Sequence, residues 1–253
     1  MTQNEAEQQK VRPRNKGYYI LPNLFTSAGL FAGFYAIVQA MNGNFGYAAV
    51  AIFIAMIMDS MDGRVARLTG TQSEFGMQFD SLSDMVSFGI APALVVYVWS
   101  LQSLGRVGWI AAFVYAAGAA LRLARFNTQV EVADKRYFTG LPSPAAAALI
   151  AGFVWMMYDL GIPGLELNWF SCGLTFFAGL TMVSNIRYYS FKDINLRKSV
   201  PFFVVLIPIL AFILLATYPP LVVFSVFVAY GVSGYVLWLI QYVRKRKPVE
   251  KSG

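Results

Sequence analysis

The chain has 253 residues, 57% of them hydrophobic and 13% charged, with a mean hydropathy of +0.55; a soluble domain carries roughly a quarter charged residues, so this is an integral membrane protein. The formal net charge is +7, but Lys and Arg stand in short clusters between apolar runs and build no basic, base-reading face, which excludes nucleic acid as a partner. Histidine is absent and Cys172 is the single cysteine, so no disulfide and no His- or Cys-based metal site can form within the chain, and proton transfer or metal binding falls to carboxylates.

Residues 1–17 read as a cytoplasmic tail carrying Lys10, Arg12, Arg14 and Lys16. The apolar stretch behind it is longer than the core of a secretory signal and is followed by more of the same, so it reads as a retained first span. Apolar runs near 21–40, 45–68, 81–101, 108–126, 143–160, 168–186, 200–217 and 220–243 can each cross a hydrocarbon core of roughly 30 Å. The expected architecture is therefore all-α: a polytopic membrane helix bundle of about eight transmembrane helices, forming one catalytic domain over 18–243, with a basic cytoplasmic tail at 244–253. Pro201, Pro208, Pro219 and Pro220 read as span starts, kinks and turns. With the N-terminus inside, every one of the 20 Lys and Arg except Arg106 falls on the cytoplasmic side, so the positive-inside rule predicts a multi-pass cytoplasmic-membrane protein with both termini inside. "GYYI", "IRYYSF" and "YVLWLIQY" read as interfacial aromatic belts.

The stretch "MDSMDGRVARLTGTQSEFGMQFDSLSD" at 58–84 places four aspartates between two apolar runs. At 1.5 Å of rise per residue, Asp59 lies about 21 Å and Asp62 about 25 Å along a span starting at Phe45. Counted back from Ser100, Asp84 is about 24 Å and Asp80 about 30 Å from the outer end of the next span. All four converge on the inner third of the bilayer, and the i,i+3 and i,i+4 spacings put each pair on one helical face. Carboxylates this close repel by up to ~4 kcal/mol per pair at an effective dielectric near 20, so they require cations or protons. An oxygen-only, acid-rich set suits hard divalent ions, Mg²⁺ or Mn²⁺, and two such ions can assist phosphoryl transfer. A cytoplasmic-side reaction centre is one reading; carboxylates pairing with arginines at a helix end, or lining a divalent-cation path, are the others.

Asp59-x-x-Asp62-Gly63-x-x-Ala66-Arg67, eight residues, then Gly76-x-x-x-Asp80-x-x-x-Asp84 resembles the complete signature of the CDP-alcohol phosphatidyltransferases. Within that superfamily, "FDSLSDMVSFGIAPALV", "LRLARFN" and "YFTGLPSPAAA" are similar to the membrane-integral phosphatidylserine synthases, over most of 18–190. The resemblance implies the CDP-alcohol phosphotransferase fold, a divalent metal requirement, a cytoplasm-facing site among membrane phospholipids, commonly a homodimer, and the reaction of CDP-diacylglycerol with L-serine to give phosphatidylserine and CMP.

Carried onto matching positions, the family pattern makes Asp59, Asp62 and Asp80 metal ligands, and Asp84 the acceptor of the serine hydroxyl proton and a further ligand; Asp80 and Asp84 are thereby the implied catalytic pair. Asp62, Gly63, Ala66, Arg67 and Gly76 fall in the region used for the cytidine diphosphate, and Asn23 and Thr26 in "PNLFTSAG" resemble early nucleotide-side polar residues. From Trp109, Arg122 is about 20 Å and Arg125 about 24 Å along the fourth span, in the aspartate layer. One is expected to hold a phosphate and the other the serine carboxylate, for which a guanidinium is suited; a salt bridge to Asp80 or Asp84 is the structural alternative. Asn127, Ser143, Asn185 and Arg187 are further candidates for the alcohol pocket. A different acceptor, glycerol 3-phosphate or inositol phosphate, stays open and would call for a stronger basic cluster beside the site.

Overall fold

The computed structural model describes residues 20–129, 137–190 and 213–246. Helix α1, Ile20–Met41, turns through Gly43 into α2, Phe45–Thr69. Helix α3, Glu74–Trp99, is one 26-residue rod, followed by a 3-10 turn at Leu101–Leu104 and by α4, Arg106–Gln129. After strand β1, Tyr137–Thr139, come α5, Ser143–Asp159, a 3-10 turn at Gly164–Leu167, α6, Asn168–Val183, strand β2, Arg187–Tyr189, and finally α7, Pro219–Arg246.

Five of these helices, α1, α2, α3, α4 and α7, are long and apolar enough to cross a membrane. The apolar α5 and α6 are 17 and 16 residues long, at the short limit for a span. The chain is a multi-pass helical membrane protein; eight spans were expected, and among the described residues five helices qualify as spans. The predicted run 200–217 lies mostly outside the described residues, as do the predicted N-terminal tail and most of the C-terminal one.

The third span departs from its expected bounds of 81–101. It starts at Glu74, because Ser73 caps it by accepting the Gly76 N–H at 3.0 Å, and a capped polar turn extends the helix below the apolar run. Helix α2 ends at Gly70, whose φ of +60° is left-handed and whose N–H bonds back to the Ala66 carbonyl. The link between the aspartate-bearing helices is thus only residues 70–73, shorter than the 69–80 gap between the expected runs. A second departure is the ribbon of β1 and β2, antiparallel with Phe138 opposite Tyr188, which adds a small sheet to an otherwise all-α chain. The Tyr188 ring is fully buried, its hydroxyl donates to the Gly231 carbonyl of α7 at 2.9 Å, and a side chain at Gly234 would collide with it.

Small residues let the helices approach. Helix α1 buries Gly29, Ala32, Gly33, Ala36 and Ala40, and α2 buries Ala48, Ala49, Ala51 and Ala55; lipid tails are as apolar as any side chain, so close van der Waals packing drives association here. Helix α5 is buried on nearly every face and forms the centre. Helices α4 and α6 cross at Gly118 and Gly179, where a Cβ on Gly118 would sit 2.5 Å from the Gly179 carbonyl oxygen. At Gly33, a Cβ would come within 2.7 Å of the Ser87 Cα on α3. Gly33→Ala is therefore expected to destabilise the protein by ~1–3 kcal/mol, the usual cost of overpacking, seen as a lowered Tm in detergent. Gly173→Ala, where nothing lies within 4 Å, should leave Tm unchanged.

Candidate active site

Helices α1, α2 and α3 converge on one pocket, lined by all four aspartates together with Thr26, Ser83 and Ser87. Asp59, Asp62 and Asp80 each present a carboxylate oxygen, and the three oxygens lie within 4.8 Å of one another. Asp84 stands outside that trio but borders the same pocket. It lies close to Asp59, as Asp80 lies close to Asp62. Three carboxylates so grouped in an oxygen-only set fit a hard divalent cation.

Hydroxyls hold the carboxylates in place. Thr26, buried on α1, donates to Asp62 Oδ2 at 2.7 Å, a shorter contact than the 3.2 Å to its own helix carbonyl at Pro22. The Thr26 carbonyl accepts from Ser83 at 3.2 Å, and the Gly29 carbonyl from Ser87 at 3.1 Å. These two bonds fasten α3 to α1 along the line where both face the pocket. Neither serine was among the expected site residues. The signal was in the spacing, since each lies three residues beyond an aspartate, Asp80 or Asp84, on the same helical face.

The remaining predicted residues divide by position. Towards the α2–α3 link, the Arg67 guanidinium lies 3.5 Å from the place a Gly63 Cβ would occupy, and the Asn23 side-chain oxygen lies 3.6 Å from the same place on Gly76. Ala66 is half-buried and its carbonyl accepts the N–H of Thr71 at 3.0 Å. On the other side, Arg122 of α4 donates to Ser143 Oγ of α5 at 2.6 Å, and its charge acts on Asp84 and Asp59. Arg125 turns away from the aspartates, donating to the Ser184 carbonyl and to Asn185 Oδ1, each at 3.4 Å. Asn127 exchanges hydrogen bonds with Ser81 of α3, the shorter at 3.0 Å. The two arginines thus diverge. Arg122 faces the carboxylates and Arg125 faces the end of α6.

A carboxylate cluster on membrane-spanning helices, with small residues beside it and Arg122 facing it, has the chemistry to hold phosphate groups through a divalent cation. The model of the CDP-alcohol phosphatidyltransferase family matches residues 19–185, and the chain belongs to that family. Among its relatives is the CDP-diacylglycerol–serine O-phosphatidyltransferase of Helicobacter pylori (strain ATCC 700392 / 26695), 38% identical over 229 residues that cover 89% of this chain and 94% of the relative. The enzyme of the same name from Bacillus subtilis (strain 168) is 31% identical, over 68% of this chain and 91% of its own length. That from Mycobacterium tuberculosis (strain ATCC 25618 / H37Rv) is 39% identical, over 62% of this chain and 56% of its own.

Because Thr26 is the neutral donor that orients Asp62, Thr26→Val should weaken divalent metal binding. Loss of such a supporting partner typically costs about 10–100-fold in affinity. Titration of Mn²⁺ followed by electron paramagnetic resonance checks this, and Thr26→Ser should restore most of the affinity.

Proposed function

We propose that the protein transfers the phosphatidyl group of CDP-diacylglycerol to the hydroxyl of L-serine, giving phosphatidylserine and CMP. The observation that carries this reading is the closure of the full aspartate signature into one pocket, in a chain 38% identical over 89% of its length to a relative of that name. In the reaction the serine oxygen forms a bond to the phosphorus that carries diacylglycerol. The bond from that phosphorus to the CMP oxygen breaks, and the serine proton leaves to a base.

Asp59, Asp62 and Asp80, with Asp84 as a further ligand, hold divalent metal, two ions of Mg²⁺ or Mn²⁺, whose chemistry when bound is to neutralise the phosphates and stabilise the departing CMP oxygen. Asp84 takes the serine proton, since an alcohol is a poor nucleophile until a base accepts it. Its place supports the role: it borders the trio, and the Arg122 charge acts on it from across the pocket. Gly63, Ala66 and Gly76 leave room for cytidine diphosphate against the helices, with Asn23 and Arg67 at its edge. Arg122 is fixed by Ser143 and serves the phosphate. Arg125, Asn127 and the neighbouring Asn185 form the side from which serine enters, and a guanidinium suits its carboxylate.

The site opens to the cytoplasm, because the basic clusters of the sequence fall on the side where α2 and α3 meet. The lipid substrate enters laterally from the bilayer, and the functional unit is a homodimer. A phosphorylated acceptor would call for a stronger basic cluster beside the site, and the relatives named above are serine enzymes, which favours serine.

Purified protein supplied with CDP-diacylglycerol, Mn²⁺ or Mg²⁺ and a panel of alcohols should release CMP with serine; release with glycerol 3-phosphate alone would reassign the acceptor. Asp59→Asn and Asp80→Asn should abolish turnover at any metal concentration, whereas Asp84→Asn should lose turnover and keep nucleotide binding. Arg125→Lys should raise the serine KM at least tenfold and leave that for CDP-diacylglycerol within about twofold, because a point charge replaces a bidentate fork.

A further inference from the structure

Helix α3 changes its register directly behind Asp84. Met85–Ile90 form a π turn in which the Ala91 N–H reaches back to the Val86 carbonyl. The α-helix resumes at Ala91 with Pro92 in its first turn. Proline has no N–H, so residue 92 offers no donor to the carbonyls four and five residues earlier, those of Phe88 and Ser87. Phe88 is fully buried, where its carbonyl gains from a further donor.

The donor comes from another helix. Tyr115, on α4 and fully buried, gives its hydroxyl proton to the Phe88 carbonyl at 3.0 Å. Its backbone is pinned from behind, because Gly179 of α6 lies so close that a Cβ there would sit 2.8 Å from the Tyr115 Cα. Helix α4 also touches the turn at Gly89, where a Cβ would fall 3.2 Å from that of Ala119. A π turn adds one residue to the coil, so it rotates the preceding side chains by roughly 100° relative to those that follow. Asp80, Ser83, Asp84 and Ser87 thereby face the pocket, while Val95 and Val96 beyond the turn stay in the core.

We infer that Tyr115 is a positioning residue for Asp84: by donating to a carbonyl that residue 92 cannot serve, its hydroxyl keeps the wide turn open and holds Asp84 on the pocket wall beside the grouped carboxylates. The inference rests on the reading of Asp84 as the proton acceptor. It assigns to Tyr115 and Pro92 a joint part in the reaction although neither borders the pocket.

The test compares wild type, Tyr115→Phe and the double variant Tyr115→Phe/Pro92→Ala, full-length in nanodiscs. CMP release, Tm and amide exchange over residues 86–91 are measured for each. Tyr115→Phe should lower kcat by roughly ten- to a hundredfold, the usual effect of a reacting group displaced by about an ångström, with both KM values within about twofold, and should speed exchange in the turn. In the double variant an N–H at 92 can close a regular α-helical turn, so Tm and slow exchange should return while kcat stays low. A kcat for Tyr115→Phe within twofold of wild type overturns the inference, and so does a kcat that recovers together with Tm in the double variant. If wild type releases no CMP, the proposed function falls. Exchange over 86–91 then still decides the part of the hydroxyl, since unchanged exchange in Tyr115→Phe overturns it.

Discussion

Mutual repulsion among four carboxylates is the constraint around which the bundle is organised. Oxygens of three of them, Asp59, Asp62 and Asp80, lie within 4.8 Å of one another with Asp84 on the same pocket, and such charges will separate unless the backbone bearing them cannot move. The surrounding structure supplies that resistance in two ways. Alanine and glycine faces bring α1, α2 and α3 into close contact, and the hydroxyls of Thr26, Ser83 and Ser87 bond across the same seams. Apolar packing sets the distance between helices, and the hydroxyls set their rotation and register.

This division of labour places different demands on the site residues. In the proposed reaction the aspartates act on substrate and metal, and their identity is dictated by charge. Serine and threonine need be only small donors, and glycine need only lack a side chain where a neighbouring backbone passes. Arg122 belongs to the first kind because its charge faces the carboxylates, but its hydrogen bond to Ser143 draws the central helix α5 into the site as well. The buried α5 thus connects, in the proposed reaction, the metal-holding side of the pocket to the side from which the acceptor enters.

Much of this was legible in the sequence, because membrane helices advertise themselves by length and apolarity, and the aspartates by depth and helical spacing. The expected start of α2 at Phe45 and of α5 at Ser143 coincide with the observed helices. What escaped was either local polar chemistry or long-range pairing. Ser73 extended α3 downwards through a cap that hydropathy does not register. The ribbon of β1 and β2 joins segments about fifty residues apart, and three-residue strands carry no periodicity. The π turn after Asp84 leaves no mark in composition, although Pro92 was a clue that some carbonyl upstream would need a foreign donor.

The ribbon also reaches the last described helix. Tyr188 occupies the space at Gly234 and bonds to the Gly231 carbonyl, so the face against which α7 lies is built in part by a side chain of β2. The seat of α7 is thereby tied to the strand that follows α6, and a smaller side chain at 188 would loosen a helix that lies away from the pocket.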